Sequence, residues 1–131
     1  MHYELVYVSQ VARGMDPRFI ANMVRRARVK NRRMNVTGML VFDGDAFCQQ
    51  LEGGQLAVLE LAEAIERDPR HTGYRVLHEG PLARRRFGSW NMAYGLTPDE
   101  EVGSLTANRS GVQVAEYLQT LAPSLSDFSA G

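Results

Sequence analysis

Residues 3–9, Tyr-Glu-Leu-Val-Tyr-Val-Ser, constrain the fold more than any other stretch of the chain. They are β-branched and aromatic, and apolar on both faces beyond Glu4, which is the composition of a strand at the centre of a sheet. Tyr3, Leu5 and Tyr7 share one face of that strand. A buried Tyr7 brings a phenol that needs a hydrogen-bond partner, although a plain core tyrosine is the commoner meaning of such a residue. A second stretch, Ala46–Gly53, sets an amide where an apolar side chain is expected: Phe47, Gln49 and Leu51 share one face, and Ala46, Cys48 and Gln50 the other. A buried carboxamide left unpaired costs on the order of 1–3 kcal/mol, so Gln49 implies polar partners inside the fold. Gln50 faces away from them.

The remaining elements follow from periodicity and punctuation. Asp16-Pro17 is an N-cap followed by proline at the first helical position, opening a helix to about Asn31. Ile20, Met23, Val24, Ala27 and Asn31 lie along one side of it. Asn31, at the end of that apolar stripe, reads either as a helix terminus tolerant of left-handed geometry or as an inward amide. The basic run Arg25, Arg26, Arg28, Lys30, Arg32 and Arg33 reads as a solvated face, with a phosphate contact as the sharper alternative. Val36 to Phe42 is a strand, and Asp43-Gly44 a hairpin turn into Ala46–Gly53. Leu56, Val58, Leu59, Leu61, Ala62 and Ile65 describe a second helix that Pro69 ends near Asp68, with Asp68-Pro69-Arg70-His71 as the exit turn. A strand is expected over about Tyr74 to Glu79, a break at Gly80-Pro81, and a last strand over Arg85 to Tyr94, in which Trp90, Met92 and Tyr94 share a face opposite Ser89, Asn91 and Ala93.

The order strand, helix, strand, strand, helix, strand, strand is that of an α+β, ferredoxin-like βαββαββ mixed sheet with both helices on one face. The bare second face needs a cover. Thr97-Pro98-Asp99-Glu100 is a capping-box start, and Val112, Ala115, Leu118, Leu121 and Ala122 mark an amphipathic helix between Gly111 and Pro123, which can lie on that face or on a partner. Residues 124–131 are expected to fray. Two segments result: 1–95, and a helical extension over 96–131.

At 131 residues, 44% hydrophobic and 23% charged, the chain suits one compact domain. Fifteen basic against fifteen acidic residues give a net charge of zero, which removes the global attraction of a nucleic-acid or anionic-membrane binder. The single Cys48 forms no intrachain disulfide, and the three scattered histidines make no metal pattern, with His2 and His78 read as surface residues. No stretch approaches the ~18 apolar residues that span a bilayer, and the N-terminus lacks a basic leader, so a soluble cytoplasmic protein is expected. No Walker loop, G-x-G-x-x-G, H-E-x-x-H or G-x-S-x-G occurs. A cleft between the two helices, walled by Met23, Ala27, Ala62 and Ile65, can take a flat apolar ligand with Tyr7, Asn31 and Gln49 as polar contacts.

Several motifs go further. Leu5-Val6-Tyr7-Val8-Ser9, Asn31 with Asn35-Val36-Thr37-Gly38-Met39-Leu40, Phe47-Cys48-Gln49-Gln50-Leu51-Glu52-Gly53, Asp68-Pro69-Arg70-His71 and Arg85-Arg86-Phe87-Gly88-Ser89-Trp90-Asn91-Met92 together resemble the BLUF family of flavin-using blue-light sensors, over about residues 3 to 95. The resemblance implies a flavin ring, FAD or alternatively FMN, held between the two helices. It makes Tyr7 the electron and proton donor and Gln49 the amide that exchanges its hydrogen bonds. It also implies cofactor contacts from Met23, Lys30, Asn31, Phe47, Asp68, Arg70 and His71, and a relay through Trp90 and Met92 to the C-terminal tail. Met23 and Lys30 depart from the residues usual in the family, and Asn35 replaces a common glycine, a change that left-handed tolerance allows. A non-enzymatic photoreceptor acting through a homo-oligomer or a separate protein effector follows, with no nucleic-acid or membrane partner. The other readings are a flavin-dependent redox enzyme and a ferredoxin-like module without a chromophore.

Overall fold

A computed structural model describes residues 2–16, 18–88, 90–97, 101–121 and 126–129. The elements are β1 (His2–Val11), α1 (Arg18–Arg33), β2 (Thr37–Phe42), β3 (Ala46–Gly53), α2 (Gln55–Arg67), β4 (His71–Leu82), β5 (Ala93–Leu96), α3 (Val102–Thr106), α4 (Gly111–Leu121) and β6 (Ser126–Ser129). The sheet order is β4-β1-β3-β2-β5-β6. Only the β2–β5 pair is parallel among these; the other neighbours run antiparallel. The expected α+β, ferredoxin-like βαββαββ order is present, with β1 and β3 at the centre.

Cross-strand partners assign the two faces. Tyr7 lies opposite Gln49, Leu5 opposite Leu51, Gln49 opposite Leu40, and Phe47 opposite Phe42. This face packs Leu5, Tyr7 and Leu51 against Val58, Leu61 and Ala62 of α2, and Leu40, Phe42 and Phe47 against Ile20 and Val24 of α1. The far face carries Val6, Met39, Val41 and Cys48, which pack against Val102 and Leu105 of α3 and Val114, Ala115 and Leu118 of α4. The C-terminal helices therefore supply the cover that the open face required. Among the described residues no helix is long and apolar enough to cross a membrane.

Local geometry explains the connections. The Asp43 carboxylate accepts from the amides of Asp45 and Ala46 at 2.8 and 2.7 Å, closing the hairpin with Gly44 at φ +102°. Asn35 is the left-handed residue after α1, at φ +55°, so the termination signal sits there and not at Asn31. Asp16 Oδ1 accepts from the Arg18 amide at 2.9 Å; Pro17 lies outside the described residues. Gly38 has no room for a side chain, since a Cβ would stand 2.0 Å from the Gln50 carbonyl oxygen.

Several expectations are corrected. β4 runs through Gly80 and Pro81, because it is an edge strand and proline costs no interior ladder bond there. The last strand is not Arg85–Tyr94 but only Ala93–Leu96. The amides of Arg86 and Phe87 instead donate to the Glu52 carboxylate at 2.7 and 3.0 Å, which takes them out of any ladder. Trp90 and Met92 thus precede the strand and diverge: Met92 joins the α1 cluster, and Trp90 packs on the cluster beneath α3 and α4. Ser89 is outside the described residues, as are Pro98 to Glu100 of the capping box and Ala122 to Leu125. The tail does not simply fray, since Ser126 and Ser129 pair with Leu96 and Tyr94. Leu56 and Val112, placed on apolar stripes by spacing, are 84% and 39% exposed, and Val58 and Val114 take the inward positions. His78 is only half-exposed, and its ring nitrogen lies 3.4 Å from the buried Glu4 carboxylate.

The start of α4 is pressed onto β4: a Cβ at Gly111 would lie 2.3 Å from the Leu77 carbonyl oxygen and 2.4 Å from His78 Cβ. Gly103, inside α3, has nothing within 4 Å of that position. Gly111→Ala is expected to destabilise the fold by about 1–3 kcal/mol through overpacking. Gly103→Ala is expected to stabilise it by up to about 1 kcal/mol through helix propensity. Urea denaturation midpoints of the two variants check this.

Candidate flavin cleft and switch

The two helices stand apart over the sheet, leaving a cleft of about 180 Å³ that opens to solvent. Met23, Ala27 and Asn31 of α1 form one wall, and Leu61, Ala64 and Ile65 of α2 the other. Tyr7, Leu40, Gln49, Leu51 and Met92 form the floor, and Arg26, Lys30, Asp68, Arg70 and His71 stand around it. Each group is there for a reason of spacing. Met23, Ala27 and Asn31 recur every four residues on α1, and Leu61, Ala64 and Ile65 fall at i, i+3 and i+4 on α2.

On the floor, Tyr7 donates its phenol proton to Gln49 Oε1, and Gln49 Nε2 donates to Met92 Sδ at 3.1 Å. The Tyr7 ring stacks on Tyr74 with centroids 5.0 Å apart, and burial pushes its phenol well above its ordinary pKa. Tyr7 is therefore a fixed proton donor at neutral pH. The amide of Gln49 is held on one side by a good donor and on the other only by a thioether, a weak acceptor. Gln50, pointing to the far face, is held differently: its Nε2 donates to Glu4 Oε1 at 3.1 Å and to Glu52 Oε1 at 2.9 Å. Reversing Gln50 would turn its oxygen onto two carboxylates and forfeit charge-assisted bonds worth roughly 1.5–3 kcal/mol each. Reversing Gln49 forfeits an N–H···S contact and exchanges the Tyr7 O–H···Oε1 bond for one in which the amide donates to the phenol oxygen, with no charged partner lost. Of two adjacent glutamines, one is locked and one is poised to turn.

Asn31 is 3% exposed and donates to the Asn91 carbonyl at 2.9 Å, so the inward-amide alternative is the correct one. Asp68 and Arg70 pair at 2.5 Å, and the Arg70 guanidinium lies 4.5 Å from the Phe19 ring centre. That pairing holds the Asp68 carboxyl below its ordinary range. His71 Nδ1 is 2.9 Å from Ser9 Oγ, and burial holds its imidazole below its ordinary pKa of 6.5.

Of the residues singled out in the sequence, Tyr7, Met23, Lys30, Asn31, Gln49, Asp68, Arg70, His71 and Met92 meet at the cleft. Phe47 does not line it; it stacks on Phe42 and stands 5.2 Å from the His71 ring, buttressing the site from beneath. Trp90 lies on the other side of the sheet, its ring 6.4 Å from Phe87. Arg28 is a residue that sequence reasoning left in the basic run: its Nε donates to the Met92 carbonyl at 3.0 Å. Its helical position, four residues after Val24 and three before Asn31, is the signal that could have found it.

Residues 2–93 match the sequence model of the BLUF family, described as sensors of blue-light using FAD. The chain belongs to the BLUF family. It is 33% identical over 106 residues to the photoactivated adenylate cyclase subunit beta of Euglena gracilis, covering 79% of this chain and 12% of that protein. It is also similar to the dark-state structure of BlrB, a BLUF protein, with 28% identity, a TM-score of 0.79, and 91% and 96% of the two chains covered. A third similarity is to Klebsiella pneumoniae BlrP1 with FMN and cyclic diGMP, at 30% identity and a TM-score of 0.68, covering 90% of this chain and 30% of that one. The chain thus spans about an eighth of the curated cyclase relative.

The residues of this BLUF domain fit a flavin. Leucine, isoleucine, methionine and alanine walls suit a flat ring, the buried amides of Asn31 and Gln49 suit its polar edge, and Arg26 and Lys30 suit a phosphate-bearing side chain. Because burial depresses the His71 pKa, the unfolded chain takes up a proton that the folded chain resists. That stability is complete above the ordinary value of 6.5 and declines as pH falls from there through the lower folded value. The melting temperature is expected to drop as pH falls below about 6.5, with a shallower drop in His71→Gln, as followed by thermal unfolding.

Proposed function

We propose that this BLUF domain senses blue light through Tyr7 and Gln49, with FAD as the flavin in the cleft, and passes the change to its C-terminal helices. The observation that carries the reading is the buried Tyr7–Gln49–Met92 chain on the cleft floor. FAD is favoured over FMN because the family description names it, while the BlrP1 structure holds FMN. A bound flavin supplies blue absorption and an excited state that takes up an electron and a proton.

Tyr7 is the donor of both. With its proton gone, the phenol no longer holds Gln49 Oε1, and the amide can turn or tautomerise before electron and proton return to Tyr7. No net oxidation remains; what persists is a new orientation of one carboxamide. Asn31 and Met23 hold the ring, Lys30 with Arg70 balances phosphate charge, and Asp68 and His71 shape the entrance. Phe47 keeps His71 in place from below.

The signal leaves through Met92 and Trp90, two residues apart and on opposite sides of the sheet. Met92 reads Gln49; Trp90 rests on the cluster shared with Leu105, Val114 and Leu118. Residues 1–95 form the sensing unit and 96–131 the extension it acts on. The chain acts as a non-enzymatic sensor in the cytoplasm, through a homo-oligomer or a separate protein effector, without a nucleic-acid or membrane partner.

Purified protein is expected to be yellow and to show a reversible red shift of its flavin band under blue light, recorded by absorption spectroscopy. Tyr7→Phe and Gln49→Leu should abolish the shift while retaining flavin. Absence of flavin would leave a chromophore-free module, and substrate-dependent bleaching in darkness would favour a redox enzyme. Met92→Ala is expected to reduce light-dependent hydrogen exchange of residues 102–121; unchanged exchange would remove Met92 from the output route.

A further inference from the structure

Resting on that reading of the switch, we infer that Glu52, on the face of the sheet away from the cleft, is a positioning residue for Met92 and hence for Gln49. Glu52 is fully buried, and its carboxylate accepts from four donors: Arg86 N at 2.7 Å, Phe87 N at 3.0 Å, Thr37 Oγ1 at 2.6 Å and Gln50 Nε2 at 2.9 Å. Two of these are backbone amides of the segment that precedes β5. Among its described residues that segment joins no ladder before Ala93; the Trp90 carbonyl accepts from the Gly38 amide of β2 at 3.2 Å, and the rest of its course depends on what its other amides and carbonyls meet.

Beside the Arg85 guanidinium, which donates to Thr37 Oγ1 and to the Asn35 carbonyl at 2.9 Å, and the Asn91 amide, which donates to the Val36 carbonyl at 3.4 Å, two groups of anchors hold the backbone of that segment. On the cleft side, Asn31 and Arg28 hold the carbonyls of Asn91 and Met92 at 2.9 and 3.0 Å. On the far side, Glu52 holds the amides of Arg86 and Phe87. Gln49 and Glu52 belong to the same strand, three residues apart and on opposite faces. Contacts therefore close a ring: Gln49 to Met92 Sδ, back along the chain to Phe87, across to Glu52, and along β3 to Gln49. Within that ring Glu52 is the far-side anchor. The Arg86 side chain strengthens it, donating to both oxygens of Glu4 at 2.8 and 3.2 Å. The sheet separates Glu52 from the cleft, so replacing it disturbs the segment without touching any group that lines the flavin site.

Glu52→Gln is nearly isosteric but leaves one acceptor oxygen where there were two and turns an NH2 group toward backbone N–H donors. In flavin-loaded protein kept dark, hydrogen exchange is expected to quicken about tenfold or more from Arg86 through Met92 in Glu52→Gln, with β3 unchanged. The light-induced red shift is expected to fall to less than half. Thr37→Val, which removes a donor to Glu52 and the acceptor of an Arg85 guanidinium bond but neither backbone contact, should keep the full shift. Faster exchange confined to Arg86 and Phe87, or a full shift in Glu52→Gln, overturns the inference. A wild-type protein that shows no shift at all defeats the photosensory reading instead, and the dark exchange result still decides whether Glu52 positions Met92. Should Glu52→Gln not fold, exchange of Arg86 and Phe87 in the wild type is compared between dark and light: a change supports the inference, and identical rates overturn it.

Discussion

Every residue of β3 from Phe47 to Gly53 is buried, because α1 and α2 cover one face of the sheet and α3 and α4 the other. Apart from Gln49 on the floor of the cleft, no polar side chain on that strand reaches solvent, and this condition governs the rest of the molecule. Gln49 is met by Tyr7 and Met92; Gln50 and Glu52 are met by Glu4, Thr37 and the Arg86–Phe87 amides. Glu4 and Glu52 are direct cross-strand partners, an arrangement of like charges that would be destabilising by itself. The Arg86 guanidinium and the Gln50 amide between them make it tolerable, and the guanidinium together with the amide draws the Glu4 carboxyl below its ordinary pKa against the opposing effect of burial. The far face is accordingly rigid in its polar contacts, whereas the near face leaves its one glutamine against sulfur.

Much of this was legible in the residues. The apolar run of β1 marks its central place, alternation around Gln49 marks its face, and the α1 stripe ends on Asn31 as the cleft requires. What was not legible has physical causes. Trp90, Met92 and Tyr94 alternate like a strand, but the Glu52 carboxylate, 34 residues before Arg86, captures backbone donors that a strand would need, and local periodicity contains no trace of that competition. Gly80 and Pro81 break interior strands, yet β4 is an edge, and edge position is a property of the whole sheet. Leu56 and Val112 fit apolar stripes by spacing, and only packing decides which of two neighbouring valines or leucines turns inward. His78 looked exposed because its partner, Glu4, is 74 residues away.

The family resemblance implies roles for particular residues; the geometry gives the proposed roles of Tyr7 and Gln49 a physical basis. A phenol kept protonated by burial, an amide with one strong and one weak hold, and a thioether at the weak end make a group that can offer either its donor or its acceptor end to the same neighbours. A lysine, carboxylate or hydroxyl at position 49 would lack that exchange of donor and acceptor ends. The helices after residue 101 are no appendage to this arrangement. Val102, Leu105, Val114 and Leu118 complete a cluster with Val6, Met39, Val41 and Cys48, so the cap and the sheet share one interior.

Cys48 lies within that shared interior, one residue before Gln49 and facing the cap. It is the only thiol in the chain, it is fully buried, and burial pushes it up to about 12. At pH 8 that leaves about one thiolate in ten thousand, behind a wall of helix. A thiol reagent can find it only in the moments when α3 and α4 stand away from the sheet. The chain thus carries its own stopwatch for the lifting of its cap, placed directly behind the glutamine of the cleft.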